Sequence, residues 1–145
     1  MVLMMNKQIT QTQSQLASQR NYIAQLLEQL TVNYQNTKLE RKQITQNFPH
    51  SEAEFTPLEE IELLTVSIRG YASQIATLGS LRNDRQAIAE LQKLSVFNNH
   101  LIVQLYSEAR SHYPQMQSYI CMLDYLRLLV LEYLQNQQTL QLISA

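Results

Sequence analysis

The sequence predicts an all-α fold: an elongated antiparallel helical bundle of three to four helices with a long N-terminal helix, coiled-coil-like. Three observations carry this. The 145 residues include two glycines and three prolines, too few to punctuate an all-β chain, whose turns recur about every 8–12 residues. Leucine and glutamine alone supply 23 and 20 positions. Apolar residues recur at steps of three, four and seven, the helical spacing.

The first element spans 6–47. Ile9, Leu16, Ile23, Leu30, Thr37 and Ile44 repeat every seven residues. Of the positions three later, Thr12, Gln19, Leu26, Asn33 and Glu40, one is apolar, which makes a weak coiled-coil seam. Leu26 and Leu27 widen the stripe between Ile23 and Tyr34, so this part is expected to dock on the body. The stretch Gln8 to Gln19 is poor in apolar residues and is expected to project or fray. The element stops before Phe48-Pro49, because proline disfavours helix in the residue preceding it.

An acidic linker, 50–56, leads into Thr56-Pro57-Leu58-Glu59. Thr at the N-cap, Pro at the first helical position and Glu at the third form a capping box. Glu59, Glu60 and Glu62 add negative charge where the helix dipole favours it. The second helix, 57–79, carries Ile61, Leu64, Ile68, Tyr71, Ile75 and Leu78. Gly70 inside it costs about 1 kcal/mol relative to alanine, and Gly79-Ser80 marks its end.

A third helix, 83–112, presents Ile88, Leu91, Leu94, Leu101, Ile102, Leu105 and Ala109. The fourth, 114–140, is the most apolar. At 100° per residue, Tyr119, Met122, Leu123, Tyr125, Leu126, Leu129, Val130 and Tyr133 fall within roughly 160° of arc. Ile120, Leu128, Leu131 and Leu134 lie outside it. A helix apolar nearly all round is either central to its fold or covered by a partner. The four segments are read as a single helical domain, 1–145.

Charge and composition exclude several functions. Eleven basic against twelve acidic residues leave −1, so no bulk basic field attracts nucleic acid. The charge is uneven: residues 1–50 are net basic, 51–62 hold five acidic residues and no basic one, and the rest is nearly balanced. The apolar start Met1 to Met5 is shorter than the roughly 7–15 residues of a secretory core. Tyr119 to Leu134 is interrupted by Asp124, Arg127 and Glu132 and falls short of the ~20 residues that span a bilayer. A cytoplasmic location without a membrane span is expected, and the lone Cys121 suits a reducing compartment.

No enzymatic activity, cofactor or metal is expected. Glycines at 70 and 79 only cannot form a phosphate cradle or a Gly-x-Ser-x-Gly elbow. A di-iron bundle needs two Glu-x-x-His pairs, whereas His50, His100 and His112 have Asn47, Phe97 and Ala109 at that spacing. Glu108 and His112 read as a solvated pair on one helical face. His100, placed mid-helix, is followed by Leu101-Ile102-Val103-Gln104 and lacks the Lys-Gly-Ser stretch of histidine phosphotransfer modules. Cys121 reads as a small packing residue. Tyr119, Tyr125 and Tyr133 read first as core-edge residues with their hydroxyls in water, and second as a binding stripe.

Leu94-Ser95-Val96-Phe97-Asn98-Asn99-His100-Leu101-Ile102 resembles the Leu-Asn-x-x-Asn-x-x-Leu-Ile segment of FlgN-type flagellar export (type III secretion) chaperones. Asn98, Leu101 and Ile102 fit, and Ser95 replaces the first Asn. The resemblance implies a small cytoplasmic helical chaperone that binds the C-terminal helical region of hook–filament junction proteins before export. An apolar groove would then cover the client's amphipathic helix. From the apolar pattern of the last two helices, the expected partner-binding residues are Leu101, Leu105, Met122, Leu126 and Tyr133. The alternative is a self-assembling structural or regulatory helical protein without a groove, joined through its Gln-rich first helix and apolar fourth.

Overall fold

The computed structural model describes residues 2–47 and 55–144. Six α-helices account for most of them: α1 (Val2–Asn36), α2 (Lys38–Asn47), α3 (Pro57–Leu78), α4 (Asp84–Lys93), α5 (His100–His112) and α6 (Pro114–Ser144). A 3₁₀ turn, Val96–Asn98, lies between α4 and α5, and there is no strand among the described residues. The Phe48-Pro49 boundary and most of the acidic linker fall outside the described residues.

The expected helix count is corrected, because two predicted rods are each broken once. In the first, the Thr37 amide and hydroxyl both donate to the Tyr34 carbonyl, at 3.1 and 2.6 Å. The hydroxyl thus competes for a carbonyl of the helical ladder, a known cause of local bending. Arg41 holds the break by donating to the Thr37 hydroxyl and the Tyr34 carbonyl. The seven-residue seam nevertheless survives it. Leu16, Ile23, Leu30, Thr37 and Ile44 are all buried.

The second break parts α4 from α5. Ser95 accepts from the Phe97 amide, and Asn99 Oδ1 accepts from the Leu101 and Ile102 amides at 3.0 and 3.2 Å. Side chains that satisfy the first amides of a new helix favour a restart over continuation. The turn also buries Val96 completely. His100 is therefore the first residue of α5, not a mid-helix residue.

Helix α3 has the expected ends. The Glu59 amide donates to Thr56 Oγ1 at 3.2 Å, Pro57 occupies the first turn, and Gly79 closes the helix at φ 78°. That left-handed conformation favours glycine. Thr56→Ala is expected to lower unfolding free energy by about 0.5–2 kcal/mol in urea titrations. An unchanged midpoint would remove Thr56 from the cap.

Helix α6 is the centre of the fold, packing against each of the other five helices. Helix α1 runs antiparallel to it, since Gln19 meets Asn136 and Asn33 meets Met122. The Glu40 carboxylate of α2 accepts from the Gln115 and Met116 amides, capping the α6 N-terminus, where negative charge is favourable. Helix α3 lies parallel to α6: Thr65 hydrogen-bonds Tyr119 near one end, and Tyr133 donates to the Gly79 carbonyl near the other. Consecutive rods therefore alternate in direction, as in the expected antiparallel bundle, and this alternation leaves α3 and α6 parallel. One buried cluster gathers residues from all six helices and the 3₁₀ turn.

Arg20 on α1 donates to the Ala76 and Thr77 carbonyls at the end of α3, satisfying orphan acceptors with a cation. Beyond this level, toward the start of α1 and the end of α6, these two helices continue as a pair. Side chains 5–15 of α1 are exposed there, apart from half-buried Ile9 and Thr12. The Gln8–Gln19 stretch is helical throughout. No described helix is long and apolar enough to cross a membrane.

Candidate protein-binding groove

The neighbours of α6 cover most of its circumference but leave one strip uncovered. Ser118, Cys121, Tyr125 and Leu128 are exposed in steps of three and four, which places them on one helical face. On one flank stands α1 with Tyr22, Leu26 and Gln29. On the other stands α5 with Tyr106. Together with Gln117, Ser118, Cys121, Met122 and Tyr125 they line a surface groove of about 550 Å³.

The walls are aromatic and mutually braced. Tyr22 and Tyr125 meet edge to face with centroids 6.1 Å apart, and Phe97 meets Tyr106 at 5.4 Å and 89°. Such pairs add about 0.5–1.5 kcal/mol beyond area burial, so the rings are held in place. The Tyr106 hydroxyl lies 3.4 Å from Cys121 Sγ. Yet Tyr22, Tyr125 and Phe97 remain 42%, 46% and 48% exposed. These rings retain apolar surface that water must cover.

The described lining is also uncharged. Among the described side chains, no Asp, Glu, Lys, Arg or His lines the groove. The Tyr125 phenol is raised above its ordinary range, first by side-chain hydrogen bonding to Tyr22 and then by desolvation, so it is neutral at physiological pH. A smaller cavity of about 260 Å³ beside Tyr34 and Tyr119 differs in this respect, since Glu62 and Arg69 line it.

The five expected partner-binding residues do not share one surface. Leu105 and Leu126 are completely buried, and Tyr133 is 4% exposed with its hydroxyl on the Gly79 carbonyl. These three fill the interior, because α6 has neighbours on several sides and buries more than one apolar stripe. Leu101 is half-buried on α5, and half-buried Met122 lines the groove.

The tyrosine expectation is corrected in the same way. Tyr119 is buried and its hydroxyl meets Thr65; of the three, Tyr125 alone faces solvent. Tyr22, Tyr106 and Cys121 were not anticipated as groove residues. Their signal was the three–four spacing of Ser118, Cys121, Tyr125 and Leu128, and the place of Tyr22 just beside the buried seam at Ile23. The Glu108 side chain lies outside the described side chains. No group of three or more His, Cys, Asp or Glu among the described residues is placed to hold a metal.

Comparison with family models, curated proteins and solved structures finds no match for this chain.

Proposed function

We propose that the protein is a client-binding chaperone or adaptor that receives an amphipathic helix of a partner protein in the groove over α6. The observation that supports this best is the uncharged, aromatic-walled channel between α1 and α5, floored by one exposed face of a central helix. Two helices flanking a third leave the shape that a further helix fills, with side chains at i, i+3, i+4 and i+7 as anchors. From Gln117 to Tyr125 the floor is about 12 Å long at 1.5 Å per residue, enough for two turns of a client helix.

The action is physical rather than chemical. An isolated amphipathic helix exposes an apolar face that promotes self-association, and the groove would cover it. Tyrosine suits the task, combining a large apolar ring with a hydroxyl that tolerates water. Because the described lining carries no charge, the client face it accepts is apolar with neutral polar edges. A buried charge on that face would lack a partner and be rejected. The resemblance of Leu94–Ile102 proposes a hook–filament junction protein as client, in the cytoplasm and before export.

The test is fluorescence anisotropy with labelled amphipathic helical peptides, the C-terminal helical region of a hook–filament junction protein among them. Tyr125→Asp is expected to weaken binding by about tenfold or more, as loss of an aromatic anchor does. The variant should still melt cooperatively, with a midpoint lowered only by the loss of the Tyr22 ring contact, because Tyr125 is not part of the buried core. Equal affinity for parent and variant would overturn the reading.

A further inference from the structure

We infer that the paired ends of α1 and α6 form a homotypic dimerisation arm, whose partner is the same arm of a second copy. Past Arg20 and the end of α3, these two helices lie side by side. Gln19 of one receives a hydrogen bond from Asn136 of the other. The arm carries an exposed apolar side chain, Leu142, which is 81% exposed. Half-buried Ile9, Leu140 and Ile143 lie nearby in the same helices.

Charge identifies the occupant. Gln8 to Gln19 contains no charged residue, and neither does Tyr133 to Ser144, in a chain that is 16% charged. The first stretch holds five glutamines and the second four. In a two-fold interface the same patch faces itself. Carboxylates or ammonium groups there would meet their own sign, and like-charge juxtaposition costs several kcal/mol. A side-chain amide has both a donor and an acceptor, so it complements a copy of itself.

Other partners are less well served. Nucleic acid and anionic lipid need the basic residues that these stretches lack. A charged protein surface would bury its ions against amides with no counter-charge. Two arms laid together instead make a short four-helix contact that covers Leu142 from both copies. The groove lies farther along α6 and stays open, so this inference stands independently of the client-binding reading.

The test is sedimentation of the full chain over the nanomolar-to-micromolar range. The parent is expected to show a concentration-dependent monomer–dimer equilibrium. The acidic triple variant Gln11→Glu, Gln15→Glu, Gln141→Glu changes exposed positions only. It should raise the dimer Kd by about tenfold or more through like-charge repulsion, with unchanged circular dichroism. The matching lysine triple should do the same, and mixing the two variants should restore a dimer. A parent that stays monomeric throughout, or charged variants that dimerise as tightly as the parent, would overturn the inference. So would a dimer lost on Tyr125→Asp, because the interface would then be the groove.

Discussion

Leu126→Asp is expected to abolish cooperative folding. Leu126 is completely buried on the central helix, and α6 packs against every other helix. Truncating a buried leucine to alanine alone costs about 2–5 kcal/mol. Aspartate adds the desolvation of an unpaired carboxylate, which exceeds the cost of a neutral polar group. Domains of this size have total stabilities of about 5–15 kcal/mol, so the sum consumes most or all of it. Circular dichroism should show lost helicity and no sigmoidal melt. A folded variant with defective partner binding would instead place Leu126 at a surface, which its burial contradicts. Tyr125→Asp, one residue away, provides the contrast because that side chain faces solvent.

The second large effect concerns the buried pair on the same helix. Arg127 is 7% exposed. Its Nε donates to Asp124 Oδ1 at 3.0 Å, and its Nη1 donates to the Leu91 carbonyl at 2.9 Å. Asp124 Oδ1 also accepts from the Val96 amide at the turn between α4 and α5. One ion pair therefore ties α6 to the end of α4 and to the 3₁₀ turn. Asp124→Leu is expected to cost about 3–5 kcal/mol, because it leaves a buried guanidinium without its carboxylate. Pairing it with Arg127→Met should recover much of that loss, since removing both charges removes the desolvation penalty. A urea double-mutant cycle measures the coupling. Additive losses would mean that the two side chains act independently and that the pair contributes no coupling energy.

Much of the fold was legible because its signals are local. The seven-residue repeat from Ile9 to Ile44 named a seam that the structure buries from Leu16 onward, and Thr56-Pro57 with Gly79 marked both ends of α3. The breaks at Thr37 and at Ser95–Asn99 were harder to see. Thr, Ser and Asn inside an apolar periodicity are compatible with an exposed helical position. Whether they bend or cap depends on what the body gains, here the complete burial of Val96. Around α6, the arc calculation assumed one buried stripe. A helix with neighbours on several sides buries Ile120 and Leu134, outside that arc, and exposes Tyr125, inside it. For that reason the apolar pattern points to core residues such as Leu105 and Leu126 and not to the open strip. A helical wheel orders the residues of one helix but does not show where its neighbours stop.

In the proposed function, a client helix lies on the strip of α6 between α1 and α5. Cys121 is the single cysteine in the sequence, is exposed, and lines that groove. The rate at which a maleimide labels it therefore reports whether the floor is covered. With a saturating amphipathic helical peptide, labelling is expected to slow at least about tenfold, tracking peptide occupancy. A peptide that is bound while Cys121 labels at its free rate would contradict the account, as would failure of every such peptide to bind.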